Sequence, residues 1–236
     1  LKGSEPEKIK DCFEKLNRAT FAFNQGLDKV IIKPVAKSYR NLPDPIQKGT
    51  SNAAKNLSNL VTIPNNILQG DIKMAFINTG RLIVNTTAGL LGTIDVANKM
   101  GFPKYEKEDY GQTLGKWGFG PGCYIVLPVL GPSTIRDTAG SFANVLGGDP
   151  WYNASIHGNN QYLSEELFIA SKALSGIDFR ANNIESFDNL EKNSLDFYAS
   201  IRSLYLQDRE NKIKNNQRGN IDILYKDEQD WEEINN

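Results

Sequence analysis

Residues 111–137, GQTLGKWGFGPGCYIVLPVLGPSTIRD, hold a compact apolar run between glycine and proline breakers inside an otherwise polar chain. From Tyr124 to Leu130 every side chain is apolar or aromatic, Pro128 included, and Trp117, Gly118, Phe119, Gly120, Pro121, Gly122, Gly131 and Pro132 frame the run. Proline removes a backbone donor and glycine loosens the chain, so the stretch suits neither one regular helix nor a central strand. It is also far shorter than the roughly 20 apolar residues a spanning helix needs. Two readings stay open: a bent hairpin that dips into a membrane or lines an apolar cavity, and a buried core segment. Periodicity alone does not separate them.

With 236 residues, 39% of them hydrophobic and 23% charged, the chain has enough apolar material for a substantial core in one large domain or two small ones. The 27 basic and 28 acidic residues nearly cancel, leaving no bulk electrostatic drive toward nucleic acid. No window reaches 18 consecutive apolar residues. The most apolar helical stretch, 82–97, carries Asn85, Thr86, Thr87 and Asp95, so no transmembrane helix is expected. The sequence starts at Leu1 without an apolar leader, as a trimmed secretory precursor or a shortened chain would. Cys12 and Cys123 are too few for a disulfide framework and lack metal-ligand spacing; a bridge between them would need an oxidising compartment, and the expectation is that they are unpaired.

Residues 1–10 read as a polar lead-in, 11–218 as one helical domain and 219–236 as a polar, acidic tail around Trp231. Apolar residues from Phe13 to Tyr39 recur at helical steps broken by Gly26 and Pro34, which predicts two helices. A helix over 46–60 is expected to end before Pro64, with a further segment over 65–69. Asp71 is placed as the N-cap of a long helix whose stripe is Ile72, Phe76, Thr79, Ile83, Thr87, Leu90, Ile94 and Ala97. Gly80, Ala88, Gly89 and Gly92 weaken such a helix in isolation, so it needs tight neighbours or lipid around it. Off the stripe, Asn78, Arg81 and Asn85 line up at steps of three and four, which suits either a polar channel or a solvated or core-capping face. Further helices are expected over 137–146, over 164–182 with a break near Gly176, and from Ser194 to Gly219. No period-2 alternation is long enough to predict a sheet, so the class is mainly α.

The familiar catalytic arrangements are missing. His157 is the single histidine, which is too few for a multi-histidine metal site. Ser133 lacks a nucleophile elbow, and the glycines of GKWGFGPG match no phosphate loop or dinucleotide fingerprint. Glu106, Glu108 and Asp109 form the densest carboxylate cluster and are read as solvated. No catalytic residue, metal or cofactor is assigned.

Four strings together resemble the MlaA/VacJ family of Gram-negative outer-membrane lipid-transport proteins, over roughly 11–207. DCFEKLNR matches the family's D-P-x-E-x-x-N-R start through Asp11, Glu14, Asn17 and Arg18, and LDKVIIKPVAKSYR follows with Asp28, Pro34, Val35, Ala36 and Arg40. NNILQGDIKMA through GRLIVNTTAGLLGTIDVA supplies Asn66, Gln69, Gly70, Arg81, Asn85, Gly89, Gly92 and Asp95. EDYGQTLGKWGFGPGCYIVLPVLGPSTIRDTAG reads as the longest signature, with Gly111, Thr113, Gly115, Gly120, Tyr124, Pro128, Arg136, Asp137 and Gly140. Cys12, preceded by IKD, stands where the family has the proline of its start and is not a lipidation site; Cys123 also departs from the pattern.

The resemblance implies an all-α, ring-like domain in the inner leaflet of the outer membrane, with an amphipathic central channel and an apolar, membrane-facing hairpin. Such proteins are not enzymes. They take mislocalised glycerophospholipids from the outer leaflet, are held by trimeric porins, and pass lipid to a soluble periplasmic, MlaC-like carrier. On this reading Trp117, Phe119, Tyr124, Ile125, Val126, Leu127, Val129 and Leu130 contact the membrane, Asn78, Arg81 and Asn85 line the channel, and Arg136 pairs with Asp137 to fix the hairpin base. The competing class is a scaffold whose hairpin docks a protein partner.

Overall fold

The structure, a computed structural model, describes residues 9–156 and 165–214. His157, the tail from 219 with Trp231, most of the lead-in and the predicted end of the last helix lie outside the described residues. The elements are α1 (Glu14–Leu27), α2 (Lys33–Arg40), α3 (Asp44–Leu68), α4 (Ile72–Thr87), α5 (Val96–Lys99), α6 (Tyr110–Lys116), β1 (Tyr124–Leu127), β2 (Gly131–Thr134), α7 (Ile135–Ala143), α8 (Pro150–Ile156), α9 (Glu165–Asn182), α10 (Ile184–Asn193) and α11 (Phe197–Ile213). None of the described helices is long and apolar enough to cross a membrane.

Packing runs in a closed circuit. Helix α1 leads through a π-helical turn (Asp28–Ile32) into α2, which packs on α9; α9 meets α8, a second π-helical turn (Asn144–Gly148) joins α8 to α7, and α7 returns through β2 and β1 to α1. Helices α3 and α11 lie against this circuit, α3 on α9, α8 and α6, and α11 on α6 and β2. The arrangement is a ring of helices with one hairpin built into it.

What fills and covers the ring inverts the usual pattern. Among the described residues, 19 polar or charged residues are buried against 11 hydrophobic ones. The asparagines Asn17, Asn59, Asn65, Asn66, Asn78 and Asn85 are inside, while Phe13, Phe23, Phe76, Ile83, Leu90, Leu91, Phe119 and Phe142 are outside. Buried polar groups are tolerated only when hydrogen-bonded, and these largely are. Asn78 donates to Asn66 Oδ1 at 2.8 Å, Asn56 to Thr86 Oγ1 at 2.9 Å, and Asn65 to the Val61 carbonyl at 2.8 Å. The apolar clusters are small: Ala36, Tyr39, Ala181 and Ile184 form one, and Tyr124, Val126 and Tyr198, with Phe21 and Tyr205 against them, form the other.

Several expectations change. The break at Pro34 is absorbed without interruption: proline has no N–H to give Val30, and the 28–32 turn shifts to π-type bonding, the Lys33 amide reaching the Asp28 carbonyl. Pro64 does not end its helix either, because the flanking Thr62, Asn65 and Asn66 are buried and bonded, and α3 continues to Leu68. Asp71 does cap α4, accepting from Met74 N at 3.0 Å, but the helix stops at Thr87 rather than reaching Ala97. Leu90, Leu91 and Gly92 take left-handed φ values of 49°, 57° and 89°, and a Cβ on Gly92 would lie 2.6 Å from the Asn56 side chain, so only glycine fits there. The stripe expected to form a spine faces outward, with Phe76 75% exposed. Gly176 leaves α9 unbroken, α10 was not anticipated, and Asp196 rather than Ser194 caps α11. The expectation of no sheet fails for one two-stranded antiparallel hairpin.

Cys12 and Cys123 are joined in a disulfide with Cα atoms 5.6 Å apart, contrary to the expectation that they are unpaired. The folded chain brings the segment before α1 alongside the start of β1, where Tyr124 N donates to the Lys10 carbonyl at 2.9 Å. Sequence could not reveal that proximity across 111 residues. Closing so long a loop restricts the unfolded chain, and replacing both cysteines by serine should lower stability by about 2–5 kcal/mol. Denaturant unfolding checks this: reductant should lower the midpoint of the wild type and leave the double variant unmoved.

Candidate functional site

The hairpin pairs Tyr124 with Thr134, Ile125 with Ser133, Val126 with Pro132 and Leu127 with Gly131. It turns tightly at its tip. Leu130 N donates to the Pro128 carbonyl at 2.7 Å, a γ-turn centred on Val129 at φ 66°, a strained conformation for a β-branched residue. Helix α1 supports the other edge of β1. Asn17 donates to the Tyr124 carbonyl at 3.0 Å and accepts from Val126 N at 2.9 Å. Asn24 donates to the Leu127 carbonyl at 2.9 Å and accepts from Val129 N at 2.8 Å. Two helical turns advance about 10 Å, and three strand residues advance about 10 Å. The two amides therefore match the strand's repeat and act as a partial third strand.

Alternation along the strand divides the residues predicted to contact lipid. Tyr124 and Val126 point inward and are buried against Tyr198 and Phe21, which withdraws them from any lipid-facing surface. Ile125 and Leu127 are partly covered. Val129 and Leu130 at the tip are exposed, Leu130 to 79%, as are Trp117 and Phe119, with Trp117 Nε1 donating to the Leu68 carbonyl at 2.9 Å.

A cavity of about 360 Å³ lies between the hairpin, α3, α7, α8, α9 and α11. One part of its wall is apolar, from Ala54, Leu57, Val61, Leu127, Leu130 and Pro132; the remainder carries Ser58, Ser141, Ser171 and Ser175 with Lys107, Asp109, Asp137, Asp149, Lys172 and Arg209. The cavity is amphipathic, but its polar lining is not the predicted one. Asn78 is fully buried between α3 and α4. Arg81 donates to both Asp95 oxygens, at 2.9 and 2.7 Å, and to the Pro103 carbonyl, and Asn85 donates to Asp95 at 3.0 Å. Arg81 and Asn85 border only a pocket of about 10 Å³. Arg81 and Asn85 hold the turn after α4, and Asn78 ties α4 to α3.

Sequence reading named Asp109 and Asp137 without placing them at a cavity and gave no role to Lys107, Lys172 or Arg209, which share the wall with them. Asp109 caps α6, accepting from Gln112 N at 2.9 Å, a signal legible in the Asp109-x-x-Gln112 spacing. Its carboxylate takes two bonds from Arg209, at 2.6 and 2.9 Å, and Arg209 also reaches both Asp137 oxygens, at 3.0 and 2.9 Å. Asp137 further accepts from Tyr205 at 2.7 Å and from Arg136, the pairing expected at the hairpin base. Burial pushes both carboxyls up, and the Arg209 guanidinium more than reverses this, so Asp109 and Asp137 sit below the usual carboxylate range. Helices α6 and α7 meet backbone to backbone beside this network: a Cβ on Gly140 would fall 2.7 Å from Gly111 Cα. Ser133 shares a hydrogen bond with the Thr138 hydroxyl, at 2.8 Å, and no base contacts it among the described residues.

The carboxylate cluster is solvated only in part: Glu106 is exposed as expected, whereas Asp109 is half-buried and Glu108 is inside. Glu108 is buried, its backbone N donating to Thr62 Oγ1 and its carboxylate accepting from Gln69 at 2.8 Å. Burial, with Asp109 and Glu106 adding to it, pushes its carboxyl up to about 7.

A family model described as MlaA lipoprotein matches residues 9–212. The intermembrane phospholipid transport system lipoprotein MlaA of Escherichia coli (strain K12) is 34% identical over 210 residues, 87% of this chain and 79% of the relative. An uncharacterized protein of Rickettsia bellii (strain RML369-C) is 34% identical over 209 residues, 88% of this chain and 78% of the relative. A chain solved for the structural basis of maintenance of bacterial outer membrane lipid asymmetry superposes with a TM-score of 0.71 at 33% identity, covering 85% of this chain and 97% of that one. Fold and site thus define a ring-like helical protein with many apolar side chains on its surface and an amphipathic cavity. The chain belongs to the MlaA lipoprotein family.

Glu108, buried on the side of its segment away from the cavity, supplies a test of the polar interior. Its folded pKa of about 7 lies above the ordinary 4.5, so its contribution to stability is full below about pH 4.5 and lost as pH rises through 7. Glu108→Gln keeps an acceptor for Gln69 and removes the titration. The variant should match wild type near pH 4.5 and exceed it by about 3 kcal/mol at pH 8, read from denaturant unfolding across that range.

Proposed function

We propose that this protein removes mislocalised glycerophospholipids from the outer leaflet of the Gram-negative outer membrane, conducts them through its amphipathic cavity and passes them to a soluble periplasmic carrier, so maintaining lipid asymmetry. The observation that carries this reading is the inversion of the fold: apolar side chains outside, a hydrogen-bonded polar interior, and a cavity with both kinds of wall. An exterior of that kind suits lipid. Six such side chains, for example Phe76, Ile83, Leu90, Leu91, Trp117 and Phe119, at about 1.5 kcal/mol or more each, would supply about 10 kcal/mol before ordering costs.

The cavity fits the task in a limited way. A diacyl lipid carries around thirty methylenes whose exposure to water would cost on the order of 20 kcal/mol. At about 30 Å³ per heavy group, the tails alone would need on the order of 900 Å³. A cavity of about 360 Å³ therefore takes the headgroup and its neighbourhood while the tails stay against bilayer or the apolar wall. The disulfide agrees with an exported protein, since such bonds persist in oxidising compartments. Residence at the periplasmic face, in the inner leaflet, held by a trimeric porin, belongs to the same proposal. So does a membrane-contacting set reduced to Trp117, Phe119, Val129 and Leu130, with Ile125 and Leu127 behind them. Nothing in the task calls for a covalent step.

Outer-leaflet phospholipid, measured in cells lacking this protein and in cells rescued at matched expression, tests the reading. Wild type should restore a phospholipid-poor surface. Leu130→Asp, which places a charge at the exposed tip, should restore little of it while unfolding within about 1 kcal/mol of wild type. Unchanged surface phospholipid on deletion would leave a docking scaffold as the better account.

A further inference from the structure

Three cations line the cavity: Lys107, Lys172 and Arg209. Arg209 is saturated by Asp109 and Asp137. Lys172 donates to Asp149 at 3.1 Å and lies over the Phe168 ring, 5.1 Å from its centroid. Lys107 differs from both: among the described residues no carboxylate bonds its ammonium. Its backbone is held on both sides, its carbonyl accepting from Gln112 Nε2 at 3.1 Å and the next amide donating to Thr62 at 3.2 Å. The segment is extended, and alternation sends Lys107 and Asp109 to the cavity and Glu108 away from it. Lys107 is thus a side chain open to the cavity on a fixed backbone.

Its surroundings favour an anion. Lys107 is exposed to the space of the cavity yet walled in by protein, and this enclosure pulls its ammonium below the usual lysine range; Asp109 opposes the shift, while Lys172, Lys212 and Arg209 add to it. Asp109 is already matched by Arg209. A cation crowded by cations and partly desolvated gains when a mobile anion arrives, and lysine binds phosphate as a point charge. We propose that the Lys107 ammonium receives the phosphodiester of a glycerophospholipid headgroup inside the cavity, with the apolar wall of Leu57, Val61 and Leu130 beside the adjoining chains. The assignment rests on the transport reading above.

Calorimetric titration of the full chain in detergent micelles tests it, with dihexanoylphosphatidylglycerol, dihexanoylglycerol and inorganic phosphate as probes. Wild type should bind the phospholipid about tenfold more tightly than Lys107→Gln, the loss of one charge-assisted contact. Lys107→Arg should recover most of the difference, and dihexanoylglycerol should bind both proteins equally weakly. Equal phospholipid affinity in wild type and in a folded Lys107→Gln overturns the assignment and leaves transport standing. If wild type binds neither lipid, both readings fall. If inorganic phosphate binds wild type as tightly as the phospholipid does, the site belongs to a soluble anion and the lipid assignment is overturned.

Discussion

Arg209 ties three helices together beside the ring. From the last described helix it reaches Asp109 at the start of α6 and Asp137 on α7, so residues 100 and 72 positions away are gathered on one guanidinium. All three groups are largely covered by protein, and each charge is acceptable there only because the others answer it. Removing one partner strands the rest, at a cost of about 3–5 kcal/mol for a buried pair. The same network forms part of the cavity wall, so the wall's charge follows from the way α11 meets α6 and α7. Most of the charged groups of the wall are already paired with one another, and this is why Lys107 stands out among them.

A second constraint follows from the exterior. This chain turns many phenylalanines and leucines outward and buries many polar groups, most of which need a partner. The asparagines meet much of that need, since each amide offers both donors and acceptors, although the side-chain oxygens of Asn56, Asn59 and Asn78 accept no bond among the described residues. Asn17 and Asn24 show the most developed form: they complete the open edge of a hairpin that has no third strand among the described residues. Edge strands with unpaired backbone groups invite pairing with other chains, and covering the edge with a helix is one known remedy. The hairpin can then present Val129 and Leu130 at its tip while Tyr124 and Val126 anchor its base.

The helices were largely legible in the sequence because capping residues and apolar periodicity are local signals. Asp71 announces the start of α4, and the stripe of α4 was read with the correct period. The direction of that stripe was not, because periodicity reports that a helix has two faces and is silent on which face meets solvent, lipid or protein. Asn78, Arg81 and Asn85 illustrate the same limit: they do share a face, but the face is interior. Proline misled twice, at Pro34 and Pro64, where tertiary packing and π-type bonding outweigh a local breaker. Asp109 carried a capping signal that was readable, whereas nothing near Arg209 in the sequence points to its partners.

By itself the sequence determined the mainly helical class and, through motifs in a fixed order, the family. Those are properties of neighbouring residues or of their order, and both survive without coordinates. Only the tertiary structure decided that Cys12 meets Cys123, that the polar faces turn inward, and that Lys107, Asp109, Asp137, Lys172 and Arg209 share one cavity. Each of these depends on which distant segments come together, and that is settled by closing the ring, an event with no local signature.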